Sequence, residues 1–497
     1  MKPTQPGIED LADELILEIL NFLLGADQLS NVPSPVNLPD RSTGLDDRPP
    51  HVRSESTDLD QFRLVCKRFA RIGTPRKFTR FNLRFGHRDF QRLGELIHNQ
   101  LACHVKNFTY MVRPFYQGSG WPQFLNDVDP TTFPKSKDRL QDQTRIIEKN
   151  YDQQMLLKAI GAFSSLEQVK LLRLQDEEDE RLLDQIHEFS LEESLTLDWE
   201  PACARAVANL GISLLSSNCT SIEFVGSQIS PEATGRLVQT PSATLSNLGA
   251  RLVGLDVTLH SNFDLTSHMD GLSDVFHDFF LAAKNLKTIN LRFETPVPLD
   301  LPLDRIFHRT QWKELRTFGI QGWLSSSEEI INLIRRHRRP LREISLVNIY
   351  LRDGSFWRDV LSVLHDEMDT IEHILLDGIN YASQLDGSSS NATNGHGNSH
   401  VIDIGNANGN GHGSGSAGVH QPPLPLSVIV NDNTPSNMAN RGYTRSPSAY
   451  GLQALRKSSA DMLGDNGISV GPKQRSFWEA WVLASPRNVA RKRVWLG

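Results

Sequence analysis

The side chains best suited to chemistry are scattered along the chain. His-Arg-Asp occurs in GHRDF at 86–90, and an aspartate so placed could take a proton from a hydroxyl nucleophile. No asparagine follows five residues after Asp89 to hold a metal, and there is no Asp-Phe-Gly or glycine-rich strand to complete such a site. His396, His400, His412 and His420 could share a divalent ion, but they sit in a Gly/Asn/Ser tract whose composition alone supplies them. The glycines of GNANGNGHGSGSAG lack a following Lys-Ser/Thr and an adjoining helix, so they form no phosphate loop. The acidic run QDEEDER at 175–181 reads as a solvated face. No Ser/His/Asp set and no paired carboxylates emerge by spacing. The expectation is a chain with no catalytic residue, no metal ligand and no cofactor.

Two cationic runs carry more weight. RRHRR at 335–339 could serve nuclear import or clamp a phosphate. It also ends a predicted helix before Pro340, where cations favour the negative end of the helix dipole, and this structural reading is preferred. ARKR at 490–493 reads as a targeting or anion-contact element.

The totals narrow the class. A net charge of −7 over 497 residues argues against general nucleic-acid binding. Cys66, Cys103, Cys203 and Cys219 show no paired spacing, so neither a disulfide framework nor a zinc site is indicated and an intracellular, reduced protein is expected. The longest early apolar run, LADELILEILNFL at 11–23, is too short and acidic to span a bilayer, and MKPTQPGIED lacks the basic start of a signal peptide. A hydrophobic content of 38% is low for a fully packed chain. The shortfall is placed in a flexible Pro/Asp/Ser insert at 25–57 and a disordered low-complexity segment at 382–472, followed by a short amphipathic and basic segment at 473–497.

The elements between these tracts repeat. LKTINL (286–291), LRTFGI (315–320), LREISL (341–346) and IEHILL (371–376) share the form L-x-x-I-x-L. FTRFNL (78–83), VKNFTY (105–110), LEQVKL (166–171), CTSIEF (219–224) and LVGLDV (252–257) extend the series upstream, with EESLTL (192–197) as a weaker copy and an insertion around GSGWPQFLNDVDPTTFPKSKDRL. Alternating apolar and polar residues predict a strand in each copy, and helix-like stretches such as SEEIINLIRRHRRP separate them. Strand, then helix, every 26 to 35 residues predicts an α/β solenoid. The pattern resembles an irregular leucine-rich repeat over 78–381, although the asparagine usual three residues after the last leucine is replaced by Glu294, Trp323, Ile349 and Ile379.

Strand alternation places Ile289, Leu291, Ile344 and Leu346 toward the core. The residues between and beside them are predicted on the opposite face: Thr288, Asn290 and Arg292; Thr317, Gly319 and Gln321; Glu343, Ser345 and Val347; His373, Leu375 and Asp377. These share no residue type from copy to copy, which leaves them free for recognition. Val347 and Leu375 are the favoured contacts.

Ahead of the repeats, Leu11, Leu15, Ile19 and Leu23 line one side of a helix with Ile16 and Leu20 beside them, while Asp13, Glu14 and Glu18 mark the wet side. In DLDQFRLVCKRFARI (58–72), Leu59, Phe62, Val65, Cys66 and Phe69 form a second helical stripe opposite Lys67, Arg68 and Arg71. Joined, residues 1–77 resemble an F-box. Leu11-Ala12-Asp13-Glu14-Leu15 stands for the family's Leu-Pro-x-Glu-Leu start, and Val65-Cys66-Lys67-Arg68-Phe69 for its Val-Cys-Lys-x-aromatic signature. Ala12 replaces the proline that pre-sets the helix entry. The insert lengthens a loop at a closure cost of only about 1–2 kcal/mol.

The resemblance implies a helical hairpin whose apolar face docks on the Skp-type linker subunit of cullin–RING ubiquitin ligases. The docking set would be Leu11, Leu15, Ile16, Ile19, Leu20, Leu23, Leu59, Val65, Cys66, Lys67 and Phe69. It implies a cytoplasmic or nuclear substrate receptor of the type found in filamentous fungi, with an unidentified protein target and no membrane partner. The alternative is a leucine-rich scaffold with no ligase role.

Overall fold

The computed structural model describes residues 11–23, 55–128, 131–189, 191, 195–229, 241–368, 370–385 and 475–485. Most of the expected insert and of the low-complexity segment lies outside these residues, as do the four histidines of the Gly/Asn/Ser tract and ARKR. Two boundaries move. Residues 55–57, expected in the insert, begin a helix, and a 3-10 turn at Ala382–Gln384 enters the expected disordered segment.

The strands in chain order are β1 (Arg80–Arg84), β2 (Asn107–Val112), β3 (Phe115–Gln117), β4 (Gln168–Arg173), β5 (Thr196–Asp198), β6 (Ile222–Ile229), β7 (Leu252–His260), β8 (Thr288–Glu294), β9 (Thr317–Ser325), β10 (Glu343–Leu351), β11 (His373–Asp377) and β12 (Asn380–Tyr381). The protein is α/β, with a mostly parallel ten-stranded sheet in the order β1-β2-β4-β6-β7-β8-β9-β10-β11 and β12 on β10. From β1 to β11, leaving out β3 and β5, each strand is laid beside its predecessor in the sheet, and only the short β12 steps past β11 onto β10. The chain divides into two compact units, Met1–Val257 and Thr258–Gly497.

In the first unit the fourth and sixth positions of the repeated hexapeptide align across strands. Phe108 pairs with Phe81 on one side and Val169 on the other, and Tyr110 likewise with Leu83 and Leu171. CTSIEF departs from this frame. Val169 pairs with Phe224 rather than Ile222, a slip of two residues that keeps every side chain on its face.

EESLTL is no rung of the sheet. Its described end forms β5, which runs antiparallel to β3 in a separate two-stranded sheet. That pair closes a satellite core of Tyr116, Trp121, Leu125, Phe133, Leu182, Ile186 and Leu195. Most of these come from the insertion and from the helix that the acidic run opens, so the insertion buries its own apolar residues.

The acidic run also differs from expectation. Asp176 caps the helix Glu177–Glu188, its carboxylate accepting from the amides of Glu178 and Asp179. Asp179 is 2% exposed, and Arg113 and Arg139 each bridge Asp176 and Asp179. Burial works against the Asp176 charge, but hydrogen bonds from Arg139 and the nearby Arg113 outweigh it and hold the carboxyl well below its usual range. These carboxylates are structural because their lone pairs are already committed.

In the second unit the register is regular. Ile289, Phe318, Ile344 and Ile374 form one buried row, and Leu291, Ile320, Leu346 and Leu376 the next. One residue past the paired Gln321, Val347 and Asp377, the backbone turns left-handed at Gly322, Asn348 and Gly378. At Gly322 a Cβ would meet the Phe293 carbonyl oxygen at 2.2 Å, so only glycine fits there. The kink delivers Trp323, Ile349 and Ile379 fully into the core.

Candidate functional site

Three helices, α1 (Asp13–Leu23), α2 (Glu55–Val65) and α3 (Lys67–Lys77), make up the N-terminal element. The single helix expected over 58–72 is broken at Cys66, whose φ of −160° and ψ of 169° are extended. Phe62 and Phe69 meet across the break with ring centroids 4.6 Å apart.

The break also divides the expected docking residues. Ile16, Leu20, Leu59 and Phe69 join Ile72 in a small core, with Leu11, Leu17, Phe62 and Cys66 partly buried against it. These hold the helices to one another and offer little surface to a partner. Leu15 at 48%, Ile19 at 40% and Val65 at 57% exposure remain outside, together with Leu64 at 78%, which the sequence reading passed over. Lys67 is exposed, and Leu23 ends α1 with a side chain outside the description. The burial of Ile16 and Leu20 answers half of what the apolar helix requires, while Leu15 and Ile19 stay uncovered one turn apart.

Polar clamps fix this arrangement. Asp13, expected on the wet side, accepts from Arg68 Nε at 2.6 Å and Arg71 Nη2 at 2.7 Å, and Arg68 also donates to the Leu11 carbonyl. The hydrogen bond from Arg68 holds the Asp13 carboxyl below its usual range. At the other end Lys77 pairs with Asp60. Tied at both ends, the helices present Leu15, Ile19, Leu64 and Val65 from a fixed frame. Exposed apolar side chains of this kind can pack on an apolar partner and carry no reacting group.

The second candidate surface is the strand face of β8 to β11. Thr288, Thr317, Glu343 and His373 form one row; Asn290, Gly319, Ser345 and Leu375 the next; Arg292, Gln321, Val347 and Asp377 the third. All the predicted recognition residues therefore share one face of the sheet, opposite the buried rows. The Thr317 hydroxyl donates to Glu343 at 3.0 Å and Arg292 to the Thr258 hydroxyl at 3.1 Å. Val347 is 9% exposed and contributes little accessible surface, whereas Leu375 is half-buried.

Two further features bear on function. The C-terminal helix Arg475–Leu483 lies against β11 and the helix Trp357–Asp366. Trp481 is fully buried and stacks on His365 at 4.2 Å, and the Glu479 carboxylate accepts from the Leu376 amide at 2.9 Å. The sequence showed this helix as amphipathic, but nothing in it named the sheet edge it covers. In GHRDF, Asp89 pairs with Arg92 in the first turn of the helix His87–His98.

Among the described residues no group of histidine, cysteine, aspartate and glutamate could hold a metal ion, and no helix is long and apolar enough to cross a membrane. Compared with known proteins, the chain matches no family model and shows no significant similarity to a curated protein.

Proposed function

We propose that the chain is the substrate-recognition subunit of a Skp–cullin–F-box ubiquitin ligase. In this reading it is non-catalytic and acts in the cytoplasm or nucleus. The N-terminal helices dock on the Skp-type linker subunit and, through it, on the cullin and RING subunits. The repeats form a leucine-rich-repeat-like solenoid whose strand face holds a target protein. Tethering raises the target's concentration beside the ubiquitin-loaded enzyme without any bond chemistry by this chain.

The observation that carries the reading is the uncovered set Leu15, Ile19, Leu64 and Val65 on clamped helices that bear the F-box motif residues. Burying each such side chain is worth about 1.5–3 kcal/mol, enough to offset a substantial part of the association cost. The in-order parallel strands support the solenoid. An open α/β sheet whose strand order reverses would instead offer a ligand crevice at the reversal.

Leu15→Asp with Ile19→Asp tests the docking, since both residues lie outside the helical core. The double variant is expected to lose co-purification with the linker subunit by at least a hundredfold while its melting stays cooperative. Unchanged co-purification would sink the proposal. A second reading, a leucine-rich scaffold with no ligase role, is favoured by the burial of Ile16, Leu20, Leu59 and Phe69, which shrinks the free apolar surface. Absence of linker binding by the parent chain would select it.

A further inference from the structure

The run Arg335 to Arg339 ends the helix Ser327–Arg336 and leads into β10. At its centre His337 is fully buried and stacks on Trp312 at 5.2 Å. Its Nδ1 donates to the Leu333 carbonyl at 3.0 Å and its Nε2 accepts from the Trp312 amide at 3.2 Å. The imidazole is a peg that fixes the run, with both ring nitrogens in use.

The four arginines around this peg line, with Gln311 and Pro340, an open cleft of about 420 Å³. Four guanidiniums and no carboxylate make up the charged part of the lining. Two are preset from outside: Arg335 is held by Glu367 at 2.5 and 2.9 Å, and Arg336 by Asp304 at 3.3 Å. Arg336 is only 16% exposed, and its Nη1 is buried with no hydrogen-bond partner among the described residues. A buried donor left without an acceptor is costly, so an occupant that brings an oxygen to Arg336 would relieve it.

The chemistry of that occupant follows from the lining. Arginine offers only donors, so the occupant must bring oxygen acceptors. Planar guanidinium forks match tetrahedral oxyanions bidentately, and several together favour a doubly charged group. The volume lies at the low end of small-molecule sites, about 300–1,000 Å³, but apolar walls are missing. A nucleic acid needs a basic track along many phosphates, and the chain as a whole is acidic.

We propose that the Arg335–Arg339 cleft is a binding site for a phosphate monoester, carried by a phosphorylated protein side chain or by a soluble phosphorylated compound. The site does not depend on what the N-terminal helices dock to. The full chain would be titrated with a fluorescein-labelled peptide bearing two phosphoserines, its unphosphorylated form, glucose 1,6-bisphosphate as a competitor, and a labelled DNA duplex. Arg338→Gln with Arg339→Gln leaves the Glu367 and Asp304 pairs in place. Arg336→Lys keeps the charge but removes the unpartnered Nη1.

The expected result is binding by a monoester probe that weakens at least tenfold in the double variant and severalfold in Arg336→Lys, with melting temperatures unchanged. The Leu15→Asp/Ile19→Asp chain should bind that probe like the parent. Tighter binding of the peptide identifies a protein source, and tighter binding of the bisphosphate a soluble one. Three results would overturn the site: no binding of either monoester, equal binding by the double variant, or a DNA duplex that binds as tightly as the monoesters.

Discussion

His337 keeps its place only while it is uncharged. Burial pushes its pKa down from 6.5 to about 4, and the neighbouring Arg336 charge adds to the effect. Because the folded value is the lower one, the unfolded chain takes up a proton first as pH falls. The contribution to stability is complete above about pH 6.5 and is lost as pH drops through 4. At this one residue the protein should be about 2 kcal/mol less stable at pH 5 than at pH 7. His337→Gln can still accept from the Trp312 amide but cannot titrate, so its urea midpoint should fall less over that interval. Equal falls in both proteins would show that His337 is not the group responsible. Other single positions resist substitution without titrating. Gly322 has φ of +73°, and any side chain there would strike the Phe293 carbonyl.

Among the elements, the C-terminal helix bears most directly on the sheet, because β11 would otherwise end with its amide row unpaired. Trp481→Ala removes a fully buried ring stacked on His365 and should cost about 3–5 kcal/mol locally. Hydrogen exchange at the β11 amides should accelerate, and the variant should associate at high concentration through the uncovered edge. Unchanged exchange at Leu376 would show that the helix is not the cover. Individual elements also differ in how far the sequence disclosed them. The rungs from LKTINL to IEHILL were legible because a period of two survives in each copy. The two-residue slip of CTSIEF was hidden because it preserves face parity. The break at Cys66 carried no proline, glycine or capping residue to mark it. In α1 the periodicity showed an apolar side, but could not say that α2 and α3 take Ile16 and Leu20 while Leu15 and Ile19 stay bare. QDEEDER was misread because Arg113 and Arg139, which neutralise it, lie far off in the chain.

At the scale of the whole molecule, the proposed function keeps two tasks on separate elements: docking on the N-terminal helices and recognition on the face of β8 to β11. Arg292 and Glu343 lie on that face two rows apart, where Arg292 donates to the Thr258 hydroxyl and Glu343 accepts from the Thr317 hydroxyl. Charge reversal at both should cost about 1 kcal/mol or less in stability, as surface changes do. It should reduce capture of the physiological target by tenfold or more and leave linker-subunit affinity within twofold. Quantitative comparison of crosslinked partners from parent and variant would read both. Target capture that survives the reversal would move recognition off this face.

Glu479 covers the Leu376 amide across 103 residues of chain, and this separation sets a schedule during synthesis. At about 5–20 residues per second, the ribosome completes β11 roughly 5–20 s before it delivers the helix that shields it. For that interval the nascent sheet exposes a bare strand edge, the kind of surface that adheres to neighbouring chains on the same message. The protein's period of greatest aggregation risk therefore falls before its release, when chaperones at the exit tunnel are at hand.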